Sequence, residues 1–179
     1  MNGLETKFCS FKDALQISEN AEISGYASLF GKGDQGGDVV APGAYAKSLA
    51  QLQASGRPVR MLWQHDPAQP IGVWDEVRED AKGLYVKGRI LTEVEKGREV
   101  AALIEAGAID GLSIGYRTKS AVRDAEGRRV LKELELWEVS VVTFPMLPEA
   151  RLGAKGDAPD TLLRELAGVI SDARQMLGR

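Results

Sequence analysis

The stretch Gly83-Leu84-Tyr85-Val86-Lys87-Gly88-Arg89-Ile90-Leu91 decides the architecture. Leu84, Val86 and Ile90 alternate with Tyr85, Lys87 and Arg89, the period-2 pattern of a strand with one face in a core and the other toward water. Upstream, residues 71–78 and 59–63 read as two more strands. From Glu22 onward, Ile23, Tyr26, Leu29 and Phe30 sit among small residues around Gly25 and read as another. Downstream, 111–118 reads as a strand, Asp124-Ala125-Glu126-Gly127 as a turn, and 129–144 as a long strand or a bent pair. Pro145 and Pro148 end that regular structure.

Two helical segments interrupt the strands. Pro42 opens one that runs to about Ala54, with Tyr45, Leu49 and Leu52 near helical spacing; Gly56 closes it and Pro58 blocks its continuation. Thr92-Glu93-Val94-Glu95 is an N-cap signal for a second helix, to roughly Ala106. Its apolar face is Val100, Leu103 and Ile104, and Gly107 is the stop. Between the first strand and the first helix, residues 31–38 form a glycine-rich turn. It lacks the G-x-x-x-x-G-K-[ST] pattern, so phosphate cradling is unsupported.

The ends differ in character. Residues 1–21 are polar, with Phe8, Phe11, Leu15 and Ile17 as scattered anchors, and read as a leader, a pro-segment or an edge strand. Residues 151–159 read as a linker. Residues 160–179 form an amphipathic C-terminal helix, with Leu162, Leu163, Leu166, Val169, Ile170, Ala173, Met176 and Leu177 on one stripe. What remains, 22–150, is a mixed α+β, β-rich domain.

The totals narrow the function classes. A length of 179 residues fits one domain plus extensions, and 44% hydrophobic with 27% charged residues is ordinary for a globular protein. The lone cysteine, Cys9, forbids an intrachain disulfide. A net charge of −3 offers no broad basic surface, so neither nucleic acid nor anionic membrane is an expected partner. Nowhere do 18 or more apolar residues run together, and the N-terminus has no apolar signal core. The expected setting is soluble and intracellular.

His65 is the only histidine, so any imidazole chemistry within one chain passes through it, and sites needing two histidines are excluded. It leaves an apolar strand at Leu62-Trp63-Gln64-His65-Asp66. In Asp110-Gly111-Leu112-Ser113-Ile114-Gly115-Tyr116, Ser113 shares its strand face with two glycines, which leaves its hydroxyl uncrowded. In Leu136-Trp137-Glu138-Val139-Ser140-Val141-Val142, Glu138 interrupts one of the most apolar runs, and a buried carboxylate needs a partner. An imidazole N–H suits it, because the carboxylate then fixes the tautomer and steadies the imidazolium. Asp66 and Asp110 are alternative acids beside turns, and Cys9 is an alternative nucleophile. Each of these residues also has a plain structural role open to it. Spacing alone leaves a Ser–His–acid hydrolase and an inert β domain both standing.

Together the segments resemble the tailed-phage prohead (capsid maturation) serine proteases. The matching elements run in order from Ile23-Ser24-Gly25-Tyr26-Ala27-Ser28-Leu29-Phe30 to Val142-Thr143-Phe144-Pro145. Between them fall Asp38-Val39-Val40-Ala41-Pro42-Gly43-Ala44-Tyr45 and the three segments around His65, Ser113 and Glu138, about 120 of 179 residues in all. The resemblance implies a β-barrel-like fold flanked by helices, similar to the herpesvirus capsid-maturation proteases. It implies a serine endopeptidase inside the immature procapsid, in the host cytoplasm, that cuts scaffolding segments from the capsid protein and also processes itself. No cofactor or metal is implied.

Carried over by position, Ser113 is the nucleophile and His65 the general base, then the acid to the leaving amine. The herpesvirus relatives use a second histidine as third member. This chain has none to give, and Glu138 takes that role. Backbone N–H groups, Arg117 or Arg151 are the candidate oxyanion donors. The competing expectations are a non-enzymatic, scaffold-binding assembly factor on the same fold, and a Cys9–His65 hydrolase.

Overall fold

A computed structural model of the chain describes residues 5–9, 16–17, 21–34 and 36–143. The elements in order are β1 (Glu5–Cys9), β2 (Gln16–Ile17), β3 (Glu22–Leu29), β4 (Asp38–Val40), α1 (Ala46–Ser55), β5 (Arg60–Trp63), β6 (Asp66–Glu79), β7 (Gly83–Ile90), α2 (Glu95–Glu105), β8 (Gly111–Arg123) and β9 (Arg129–Val142). Among the described residues the strands form one sheet in the order β1-β8-β9-β5-β6-β7-β3-β2, with β4 also on β9. The sheet curls, bringing β3 near one end against β8 and β1 near the other. Among the described residues the fold is a mixed α+β half-barrel with two helices.

The alternation in β7 behaves as expected, with Leu84, Val86 and Ile90 buried and Arg89 exposed. The same inward side of the sheet contributes Ile23, Met61, Ile71, Ile114, Leu131, Leu134, Leu136 and Val139 to one core, with Tyr45 just before α1 and Val100 and Ile104 from α2. Burying apolar surface yields about 25 cal/mol per Å², so this shared core is the main force curling the sheet. The turn at 124–127 is also as expected: Gly127 N–H reaches Asp124 O at 3.1 Å, closing β8 onto β9.

Several boundaries differ from the sequence reading, each for a physical reason. α1 starts at Ala46 rather than Pro42, because Gly43 takes φ 86°, outside the helical region. The amides of Gly43 and Tyr45 donate to the carboxylate of Glu79 on β6, so a distant strand supplies the start of this helix. α2 starts at Glu95 after an uncapped Val94; Thr92 lies in a turn where Val94 N–H bonds Leu91 O at 3.1 Å. β6 begins at Asp66, not residue 71, with Pro67 absorbed where the β5–β6 register shifts. β8 runs on to Arg123 and β9 is a single strand ending at Val142. β1 lies at the sheet edge, as one of the readings of the N-terminal segment expected. The linker and C-terminal helix expected over 151–179 lie outside the described residues.

β9 is the strand that assembles the site. On one side β5 runs parallel to it, with Arg60 opposite Glu138 and Trp63 opposite Val141. On the other, β8 runs antiparallel, with Ser113 opposite Ser140 and Gly115 opposite Glu138.

Candidate active site

His65 lies in the two-residue hairpin loop between β5 and β6, where Trp63 pairs with Asp66. Gln64 and His65 have φ of 52° and 61°, the positive values that a tight type I′ hairpin requires at both central positions. Neither residue favours that region, so the loop is held from outside. Gln64 N–H donates to Val141 O at 3.0 Å, and its side-chain amide donates to the Thr143 hydroxyl. His65 N–H donates to Ser140 Oγ at 3.2 Å. The hairpin thereby aims the imidazole back across β9.

There it stands between the other two residues. His65 Nε2 is 2.7 Å from Ser113 Oγ on β8, and Nδ1 is 2.5 Å from Glu138 Oε1 on β9. An ionised carboxylate only accepts, so Nδ1–H donates to Glu138 and the Nε2 lone pair faces the serine O–H. Glu138 is 3% exposed, and its other oxygen, Oε2, accepts from Ser140 Oγ at 2.5 Å. A carboxylate this deep is tolerated because both oxygens are hydrogen-bonded. Ser113 is 0% exposed, so its hydroxyl is enclosed rather than open to solvent.

Gly115 has a different purpose from the clearance the sequence reading gave it. A Cβ there would lie 2.0 Å from Glu138 Oε1, so the missing side chain makes room for the carboxylate, not for a substrate. Trp74 Nε1–H, reaching from β6, donates to Val139 O at 3.1 Å and braces β9 between Glu138 and Ser140.

Asp66 caps its own turn, accepting from Ala68 N–H at 2.8 Å and Gln69 Nε2 at 3.1 Å. Asp110 stands immediately before β8. Cys9 pairs through its backbone with Leu112. The guanidinium of Arg117 sits 4.6 Å from the centroid of the exposed Trp137 ring. Arg151 lies outside the described residues.

Sequence reasoning missed Ser140, Gln64 and Trp74. For Ser140 a signal was present: it sits two residues from Glu138, hence on the same strand face, in the same apolar run. Among the described residues no cluster of three His, Cys, Asp or Glu side chains is placed to hold a metal ion, and no helix is long and apolar enough to cross a membrane.

Comparison with known proteins bears on what this arrangement is for. A family model described as caudovirus prohead serine protease matches residues 11–162. A prohead protease of Enterobacteria phage HK97 is 35% identical over 135 residues, 74% of this chain and 59% of that protein. A prohead protease of Escherichia phage T5 is 33% identical over 125 residues, 69% of this chain and 58% of that protein. The chain thus spans about three fifths of the length of these curated relatives. A capsid polyprotein of Pseudomonas phage PAJU2 is 33% identical over 103 residues, 53% of this chain and 15% of the polyprotein. The solved structure of the capsid assembly protease of bacteriophage T4 superposes with a TM-score of 0.61 at 18% identity. It covers 79% of this chain and 98% of that one, a shared fold.

Proposed function

The chain belongs to the caudovirus prohead serine protease family, and from that premise we propose that it is a serine endopeptidase acting through Ser113, His65 and Glu138. The observation that carries this reading is the unbroken line Ser113 Oγ, His65 Nε2, His65 Nδ1, Glu138 Oε1, with contacts of 2.7 and 2.5 Å. Ser113 Oγ attacks the scissile carbonyl while Nε2 takes its proton. The imidazolium, steadied by Glu138, then protonates the leaving amine as the C–N bond breaks. Water, deprotonated by the same nitrogen, hydrolyses the acyl-serine ester and returns the proton to Ser113.

The substrate in this reading is the scaffolding segment of the capsid protein, together with the protease itself, inside the immature procapsid in the host cytoplasm. Supporting it are the names of the HK97 and T4 relatives, and a related segment within a capsid polyprotein. The return of β3 to β8 supports the finer reading of the fold as a barrel like that of the herpesvirus capsid-maturation proteases. Residues 1–21 are proposed as a pro-segment, with β1 on the edge of β8 and Phe8 opposite Ser113 in register. Residues 151–159 and 160–179 are proposed as a linker and an amphipathic C-terminal helix.

The test is self-processing and capsid-protein cleavage followed by mass spectrometry in Ser113→Ala, His65→Ala and Glu138→Gln. The first two lose activity by about 10⁴-fold or more, and the third by about 10²- to 10⁴-fold. Undiminished cleavage in either of the first two sinks the reading. Wild-type cleavage in Glu138→Gln removes the acid alone.

A further inference from the structure

We propose that Ser140 is a positioning residue for the reaction: its hydroxyl locks the His65 loop to the Glu138 carboxylate, so that the imidazole is held in line with Ser113. The inference rests on the role proposed above for Glu138 and His65.

Three hydrogen bonds close a ring. His65 N–H donates to Ser140 Oγ at 3.2 Å, Ser140 Oγ–H donates to Glu138 Oε2 at 2.5 Å, and Glu138 Oε1 accepts from His65 Nδ1–H at 2.5 Å. A hydroxyl has one proton to give and lone pairs to receive. An amide can only donate and a carboxylate can only accept, so the direction of every bond around the ring is fixed. The backbone and the ring of one residue are tied together through two others, which restrains both side-chain torsions of His65.

The location explains why a hydroxyl is needed there. β5 follows β9 up to the bond from Gln64 N–H to Val141 O, and the chain then turns away at His65. In that turn His65 N–H donates to the Ser140 hydroxyl, and a part-buried amide needs such a partner. Ser140 meets it from the face of β9 opposite to the core residues Val139 and Val141, where it is 0% exposed and opposite Ser113 in register. It thus holds a backbone with φ 61° that histidine does not favour. A buried serine that merely satisfied itself would need neither partner to belong to the proposed site. Here both do.

The test uses the full chain and two readouts. Because His65 is the only histidine, ¹⁵N-histidine labelling gives a single imidazole, whose Nδ1–H proton reports the bond to Glu138. The second readout is the rate at which a fluorophosphonate labels Ser113, separated into its binding and reaction constants, in Ser140→Ala, Glu138→Gln and the double variant. In Ser140→Ala the Nδ1–H resonance moves upfield or is lost to exchange with water. The reaction constant falls by about 10- to 100-fold, while binding of the probe stays within about twofold. Adding Ser140→Ala to Glu138→Gln costs less than about threefold more, because the two act through one unit.

A wild-type Nδ1–H signal in Ser140→Ala, or losses that multiply in the double variant, overturns the proposal. Thermal melts check folding, and if Ser140→Ala does not fold, Ser140→Cys takes its place. Its weaker donor predicts the same resonance shift in smaller degree, and an unchanged resonance there overturns the proposal too. A failure of the underlying reading looks different: Glu138→Gln or His65→Ala then labels at the wild-type rate whatever Ser140 does.

Discussion

Glu138 sits in the middle of a strand, almost out of contact with water, where an uncompensated carboxylate costs several kcal/mol. Its tolerance depends on small adjustments by its neighbours, and Gly115 is the tightest of them. An alanine there sets its methyl 2.0 Å from Oε1, so the carboxylate, the strand or both must shift. Gly115→Ala is expected to lose about 1–3 kcal/mol in chemical unfolding, the usual range for overpacking. It should also lower peptidase activity by about 10-fold or more, since the displaced oxygen is the one bonded to His65. A variant with wild-type activity contradicts the tight fit of the carboxylate. The sequence made Gly115 visible as a glycine beside Ser113, but not its purpose. That purpose depends on a strand pairing between β8 and β9, which periodicity does not reveal.

At the level of elements, long alternating strands were legible and short or borrowed ones were not. β7 could be read from its own pattern, and so could the 124–127 turn. β4 is three residues long, too short to show a period, and the start of α1 depends on Glu79 from another strand. The hairpin between β6 and β7 gives a testable case of such borrowing. Asp80 accepts from Lys82 N–H at 2.8 Å, Gly83 N–H at 3.1 Å, the Tyr26 hydroxyl at 2.8 Å and Arg78 Nη1 at 2.6 Å. Burial raises its carboxyl pKa, but the bonds from Lys82, Tyr26, Gly83 and Arg78 outweigh that and bring it down to about 2. The unfolded value is about 3.9, so the folded chain binds fewer protons in between. The stabilisation is therefore complete above about pH 4 and is lost as the pH falls toward 2. Asp80→Asn is expected to melt about 2–4 °C lower at pH 7, about 1 kcal/mol after solvent screening. The gap between the two proteins should close on acidification. A gap that stays constant from pH 7 to pH 2 contradicts the assignment.

Across the whole molecule, the site is built from residues 48 and 73 positions apart, joined only because β5 and β8 flank β9. That separation is why no local motif announced it. His65 was legible as the sole histidine and Glu138 as an anomaly in an apolar run, whereas their meeting was a matter of sheet order. Ser113 is 0% exposed, so a peptide carbonyl reaches Oγ only after a neighbouring element moves. The most direct measurement is peptide mapping of the full chain after reaction with a fluorophosphonate, beside His65→Ala. The account predicts a single adduct on Ser113 that forms at least about 10³-fold more slowly without the imidazole. No adduct, an adduct on another residue, or equal labelling of His65→Ala would contradict it.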